Sequence, residues 1–414
     1  MRKLRILIRE FIKKHKFIRK IVRFTLLHLR RFSYKITTAG CQTDSKTVVF
    51  ACFQGLSYCD SPKAIYEHIK ALEAFKDFRF IWAFKEPENY DFLKSERTSV
   101  IKVDSKAFYK ALGRAKYWIF NYKIQDHLDP KKDQVFLQCW HGTPLKRLGC
   151  DLESFENAMN TLSEIRKRYN IETKKFSYFL SPSAFASEKF ISAWNMKAAG
   201  KESVILEEGY PRNDLLKNYT EEDVLRVRRA LGIEDGKKVI LYAPTYRDNQ
   251  HSTASGGYTY KTEVDFDRLK DIFSKEYVIL FRPHWLVARE FDFKKYSGFV
   301  YDVSGFDDIS ELYIISDLLI TDYSSVFFDF ANLKRPMVFY MYDLEAYRDD
   351  IRGFYLDTSE LPGPIVTKEN ELIEEIKKSV NFVYDEKYKA FNDKYNYLDD
   401  GQASSRVAKK VFDL

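Results

Sequence analysis

The short signatures of several common chemistries are absent from this sequence. GxGxxG, a Walker loop, HExxH and GxSxG do not occur in its 414 residues, which removes dinucleotide oxidoreductases, P-loop NTPases, zincins and the usual serine hydrolases. Cysteine is scarce. Cys41, Cys52, Cys59, Cys139 and Cys150 form no CxxC pair and are odd in number, which argues against a disulfide framework or a structural zinc and for a reducing compartment. Long apolar runs are missing too. A spanning helix needs roughly 20 apolar residues and a signal peptide an apolar core of about 7–15. The longest N-terminal apolar runs are only three or four residues, such as Ile6–Ile8. Thr38-Ala39-Gly40-Cys41 has the outline of a lipid-attachment box, but Arg30, Arg31 and Lys35 precede it where apolar residues are required. Repeats and low-complexity tracts are also lacking.

What is present describes a folded chain of two or three domains, since single cores stop growing near 300 residues. Apolar residues make up 45% and charged residues 31%, and 34 Phe, 28 Tyr and 5 Trp supply large side chains for the cores. The net charge of +8 is not an even property. Residues 1–35 hold 13 Lys and Arg against the single acid Glu10, which leaves 55 bases and 59 acids for everything after them. Within this segment Leu4, Ile8, Phe11, Ile18, Val22, Leu29 and Phe32 recur near a helical repeat, with cations between them. Such spacing predicts a basic amphipathic helix lying on an anionic membrane surface, each Lys or Arg contributing roughly 1 kcal/mol there. A solvated leader or a nucleic-acid-binding arm would carry the same charge, but it would have no use for regularly spaced apolar residues.

After residue 45, short apolar runs alternate with amphipathic stretches. Strands are predicted at Val48–Phe53, Arg79–Phe84, Val100–Val103, Tyr117–Asn121 and Val135–Trp140, with helices at Pro62–Phe75 and Lys106–Arg114. A second series has strands near Phe179 and at Val204–Leu206, Val239–Ala243, Val278–Arg282, Leu318–Thr321 and Met337–Tyr340. Its helices fall at Glu221–Leu231, Asp265–Phe273, Asp307–Ile315 and Val326–Asn332, and the tail from Glu369 reads as charged and helical. Alternation of this kind implies parallel sheets. Two runs of it imply two doubly wound α/β domains, with a boundary near residues 209–220. His251–Gly257, rich in Ser and Gly, reads as a surface or lid loop.

Ligands of doubly wound sheets bind beyond the carboxyl ends of strands, so polar residues directly after apolar runs are the candidates. Trp140-His141-Gly142-Thr143-Pro144-Leu145-Lys146-Arg147 offers a base, a permissive glycine and two cations. That set suits proton removal beside a phosphate, and equally a capping histidine in an ordinary turn. Phe281-Arg282-Pro283-His284 holds Arg282 and His284 on a stiff turn, or is a structural turn with a surface arginine. Thr321-Asp322-Tyr323-Ser324-Ser325 opens a helix, where hydroxyls and free N–H groups make an anion site or a plain N-cap. Asp400-Gly401-Gln402-Ala403-Ser404-Ser405-Arg406 opens the last helix in a similar way. Leu241-Tyr242-Ala243-Pro244-Thr245-Tyr246-Arg247-Asp248 ends a strand with groups suited to a phosphate, and Gly209-Tyr210-Pro211-Arg212-Asn213-Asp214 lies at the boundary. The doublets Asp307-Asp308 and Asp349-Asp350 have the chemistry of a divalent-metal site, but such doublets are common on solvated surfaces.

Taken in order, the segments from Trp140 to Lys146, Gly209 to Asp214, Tyr242 to Arg247, Arg282 to His284, Thr321 to Ser325 and Asp400-Gly401 resemble the CDP-glycerol glycerophosphotransferase family, the teichoic acid primases and polymerases. The resemblance runs from about Thr47 to the C-terminus. It implies a GT-B-like fold: a membrane-associating segment at 1–40, a Rossmann-like acceptor domain at 41–215, a Rossmann-like nucleotide-donor domain at 216–385, and C-terminal helices at 386–414 that cross back to the first domain. By the same resemblance His141 would take the proton of the acceptor hydroxyl and His284 would face the donor pyrophosphate. Arg282, Thr321, Ser324 and Ser325 would hold phosphates, with Arg247 and Arg406 as further cations, and Lys146 and Arg147 would receive the acceptor's phosphate. Expected partners are a CDP-alditol donor, a lipid-linked or glycan acceptor and an anionic membrane on its cytoplasmic face, with no nucleic acid. No cofactor is firmly implied and no divalent metal is required. The alternative is a nucleotide-sugar glycosyltransferase of a capsule or surface glycan pathway. No further glycosyltransferase module is present in the sequence.

Overall fold

The computed structural model describes residues 15–153, 161–245, 264–283, 288, 291–344 and 353–414. Arg247, the loop His251–Gly257, His284 and the doublet Asp349-Asp350 lie outside the described residues.

Seven strands form the first sheet: β1 (Asp44–Ala51), β2 (Arg79–Phe84), β3 (Thr98–Lys102), β4 (Ala115–Phe120), β5 (Val135–Gln138), β6 (Tyr178–Ser181) and β7 (Ile205–Glu207). They pair in the order β3-β2-β1-β4-β5-β6-β7, every pair parallel. The second sheet holds β8 (Lys238–Ala243), β9 (Tyr277–Phe281), β10 (Val300–Asp302), β11 (Leu318–Thr321), β12 (Met337–Tyr340) and β13 (Ile365–Val366). Its order, β10-β9-β8-β11-β12-β13, is also all parallel. In both sheets the strand order reverses beside the first strand, the doubly wound pattern that opens a crevice at the strands' carboxyl ends.

The strand sequences explain this burial. β2 reads Arg-Phe-Ile-Trp-Ala-Phe, apolar after its first residue, as suits a strand covered on both faces. Successive side chains point to opposite faces. Val49 and Ala51 of β1 therefore join a core with Trp118 and Phe179, while Val48 and Phe50 join another with Trp82 and Ile119. In β8, Val239 and Leu241 pack with Phe327 and Phe339, and Ile240 and Tyr242 with Phe266 and Phe281. The sequence expectation missed the narrow strands β10 and β13, and also the helices α1 (Leu162–Thr173) and α2 (Ala184–Ala193). The polar α1 has little apolar periodicity, but its start is marked by a capping box between Thr161 and Glu164.

The last helix, α3 (Ala403–Phe412), returns to the first sheet. Val407, Ala408 and Val411 enter its core, and the Phe412 ring lies 4.9 Å edge-on from Phe75 and 4.3 Å from Tyr117.

The N-terminal helix Lys16–Thr38 is amphipathic in an inverted sense. Arg19 and Tyr34 are buried against the body, and Arg31 bonds the Asp126 carbonyl at 3.3 Å. Phe17, Ile21, Phe24, Leu29, Phe32 and Ile36 face outward. Among the described residues, no helix is long and apolar enough to cross a membrane.

Candidate active site

At the end of β5 the chain turns sharply. Gln138 is fully buried and accepts from the Trp140 N–H at 2.9 Å, and Cys139 N–H donates to the Phe120 carbonyl at 2.7 Å. Trp140 is held at φ 49°, a left-handed conformation that a bulky residue adopts only when its surroundings impose it. Those surroundings include Trp194, which meets the Trp140 ring edge-on at 4.7 Å. The His141 ring stacks on Trp140 at 4.1 Å, and Phe53 flanks it at 5.8 Å. The imidazole is thus presented from a rigid aromatic shelf.

Gly142, at φ 152°, brings the two sheets' loops together. A Cβ there would lie 3.1 Å from Ser325 Oγ and 3.4 Å from an Arg212 nitrogen. A hollow of about 270 Å3 opens at this junction, lined among others by His141, Lys146, Thr245, Tyr323, Ser324 and Ser325. Three motifs far apart in sequence therefore meet in one place. His141 is exposed at the hollow, with the Trp140 ring stacked against its imidazole and Phe53 beside it. Burial and the nearby Arg212 guanidinium outweigh the opposing charge of Asp60, and the imidazole is pushed down to about 4. It is neutral at pH 7 and able to accept a proton.

The other expected site residues divide. Ser324 and Ser325 are half-buried at the hollow, and Lys146 lines it while its backbone bridges to Phe354. Arg147 is turned aside: it pairs with Glu153, and its N–H meets the Gly353 carbonyl at 3.1 Å. Thr321 is buried and donates to the Ala243 carbonyl at 2.8 Å, tying β11 to β8. One Arg282 nitrogen binds the carbonyls of Val303 and Phe306 at 2.7 and 2.8 Å, and burial lowers the pKa of its guanidinium. Arg406 is clamped between Asp400 and the carbonyls of Glu208 and Leu398. None of these last four residues lines the hollow. Of the acidic doublet, Asp308 pairs with Lys63 at 2.8 Å and Asp307 accepts from the Tyr58 N–H at 3.2 Å.

The sequence places the Gly209–Asp214 segment at the domain boundary and among the motifs of the family resemblance, without a role for its side chains. In the structure it pins the two halves together. Arg212 bonds Asp60 at 3.2 Å and Asp329 at 2.7 and 2.9 Å. Asn213 joins Asp329 at 3.0 Å to Asp399 at 2.7 Å, and Asp399 also accepts from the Tyr210 N–H. All of these groups are buried. Burial opposes the charge of Arg212, but Asp329 and Asp60 more than offset it and raise its pKa; burial raises Asp329 and lifts Asp399 to about 6. The readable signal was Asp329, a lone carboxylate within Val-Phe-Phe-Asp-Phe.

Two doubly wound parallel sheets that meet at a hollow built from strand-end loops define a GT-B-like transferase architecture. Residues 33–413 match the model of the family described as CDP-glycerol:poly(glycerophosphate) glycerophosphotransferase, and the chain belongs to that family. A teichoic acid poly(glycerol phosphate) polymerase of Bacillus subtilis strain 168 is 37% identical over 409 residues, 97% of this chain and 54% of the relative. One from Bacillus spizizenii is 36% identical over 394 residues, 94% of this chain and 98% of the relative. A teichoic acid glycerol-phosphate transferase of Staphylococcus aureus is 39% identical over 370 residues, covering 88% of this chain and 92% of the relative. The chain thus spans about half the length of some curated relatives and nearly all of others. The solved wall teichoic acid polymerase TagF, in a variant soaked with CDPG, superposes with a TM-score of 0.85 at 37% identity, covering 97% of each chain.

Proposed function

We propose that this protein transfers glycerol phosphate, or a related alditol phosphate, from its CDP ester to a hydroxyl of a membrane-bound acceptor in teichoic acid or related surface-polymer synthesis, releasing CMP. The observation that carries the reading is the juxtaposition of the neutral imidazole of His141 with the hydroxyls of Ser324 and Ser325 in one hollow. It occurs in a chain that matches the soaked TagF over nearly its full length.

In this reading the acceptor oxygen attacks the β-phosphorus while His141 takes its proton. The bond from that phosphorus to the bridging oxygen breaks, and CMP departs with the electron pair. Catalysis of this step is mostly positioning and charge stabilisation. Ser324, Ser325 and the adjacent amides supply part of the latter, and Lys146 faces the acceptor side. On the strength of the motif resemblance, His284 and Arg247 remain donor-side groups. Arg282, Thr321 and Arg406 support the walls of the cleft through the carbonyls they hold.

A panel of CDP-alditols and UDP-sugars, offered with a glycerophosphate-primed lipid acceptor, tests the reading. CMP release from CDP-glycerol or CDP-ribitol is expected. UDP release from a nucleotide sugar, with no CMP, would instead establish the glycosyltransferase alternative.

We also propose that the enzyme is peripheral on the cytoplasmic membrane face, seated through the outward apolar face of its N-terminal helix. Each outward phenylalanine, once buried in lipid, contributes about 1.5–3 kcal/mol. Phe24→Ser with Phe32→Ser is expected to release the full chain from anionic vesicles in a flotation assay, and high salt to weaken the unaltered protein. Salt-insensitive flotation of the double variant would defeat the assignment.

A further inference from the structure

A second hollow, of about 610 Å3, lies between the N-terminal helix and the first half of the body, away from the residues that line the His141 site. Its helix wall includes Phe24 and Leu26, both exposed, and its body wall includes Lys123, Lys167 and Arg168. Arg23 and Arg30 on the helix line it as well. Among the described residues, Arg30, Lys167 and Arg168 make no hydrogen bond or ion pair. Lys123 rests over the Tyr169 ring at 4.3 Å. Two acids line the hollow: Asp126, and Glu164, which is engaged by the Thr161 N–H at the start of α1. Positive charge is therefore in excess, and the cations feel one another: burial first, with Arg168 and Lys175 adding to it, brings the Lys123 ammonium down to about 8 against the pull of Glu172 and Asp126. Gathering more cations than acids in one hollow is unfavourable, and an anionic ligand would relieve the excess.

The ends of the groove narrow the choice of anion. At one end Phe24 and Leu26 continue onto the outward apolar face of the helix. At the other stands Gln54, next to Phe53, whose ring is 5.8 Å from that of His141. Phe53 and Gln54 both adopt left-handed backbone conformations (φ 45° and 60°), and the Asn121 side chain accepts from the Phe53 N–H at 2.8 Å, so this lip is fixed. A ligand spanning the groove would have alkyl chains at one end, phosphate in the middle and a head directed towards His141.

We propose that this groove binds a lipid-borne phosphate, holding it between Arg30, Lys123 and Arg168 while the attached head reaches the transfer site. The inference rests on the membrane-acceptor reading above. The phosphate is either the diphosphate that anchors the acceptor or the headgroup of a bulk anionic phospholipid, and the arms of the test separate these. Arg30→Gln with Arg168→Gln, in the full chain, is compared with the unaltered protein after matched thermal melts. Flotation uses phosphatidylcholine vesicles containing a polyprenyl diphosphate, phosphatidylglycerol or neither. In parallel, KM is measured for a polyprenyl-diphosphate-linked acceptor and for CDP-glycerol.

Losing two charge-assisted contacts is expected to raise the acceptor KM about ten-fold or more, with the KM for CDP-glycerol unchanged, and to abolish preference for polyprenyl diphosphate vesicles. Loss of phosphatidylglycerol binding alone supports the groove with bulk lipid as the source. Unchanged binding to both vesicle types together with an unchanged acceptor KM would overturn the proposal. If the unaltered protein binds polyprenyl diphosphate through these arginines but never releases CMP, the groove stands and the transfer reading falls.

Discussion

Replacing His141 with alanine is expected to lower CMP release by about a hundred- to ten-thousand-fold, the contribution usually made by a positioned general base. The KM for the CDP-alditol should change little, because in the proposed mechanism the imidazole takes the acceptor's proton and does not hold the donor. The pH profile identifies the group. A histidine of ordinary pKa would begin to lose activity below about pH 7. Here burial, reinforced by Arg212, holds the imidazole near 4. The neutral base therefore persists through mild acid, and the acid limb of the CMP-release profile assigned to this group should fall near pH 4. The same shift has a stability sign. Between about pH 6.5 and about 4 the unfolded chain binds the proton first, so stability is lost as pH falls through that window. A His141→Phe variant should lack this part of the loss. An acid limb near pH 6.5 in the unaltered enzyme, or near-normal turnover in His141→Ala, would remove His141 from the role.

Much of the architecture is written locally and so could be read before the fold was known. A strand buried on both faces must be apolar through its middle, as β2 and β8 are after their first residue and β11 is before its last, and helices such as Glu221–Leu231 carry their own caps, Thr220 and Gly232. Polar residues at the ends of such runs must lie at the sheet's carboxyl edge, which is why Trp140–Lys146 and Tyr323–Ser325 could be named as neighbours of a ligand. What those polar groups hold is not local. Thr321, Arg282 and Arg406 have the chemistry of anion ligands, but their donors meet backbone carbonyls that the fold brings to them. Carbonyls occur at every residue, so no sequence pattern announces such a use. The buried pin was hidden for the same reason. Residues 60, 212, 329 and 399 are far apart along the chain, and only the closure of two sheets and the return of the last helices bring them together.

That pin leads to the largest expected loss of stability. Arg212→Met would leave Asp60 and Asp329 facing each other without their shared cation, both buried. Removing one partner of a buried pair costs about 3–5 kcal/mol, because the remaining charge stays out of water. A fall of that size in urea-unfolding free energy is expected. Neutralising the two acids as well, with Asp60→Asn and Asp329→Asn in the Arg212→Met background, should recover part of it, since the cost lies in the unpaired carboxylates. A second readout separates this electrostatic account from simple loss of packing. Arg212 lowers the pKa of His141 and Asp60 raises it, so removing the guanidinium while keeping the carboxylate should move the acid limb of CMP release upward from about 4. The triple variant removes both influences and should move it less. If Arg212→Met costs under about 1 kcal/mol, far below the buried-pair range, or leaves the limb in place, the pin is neither a stability element nor the source of the field at His141.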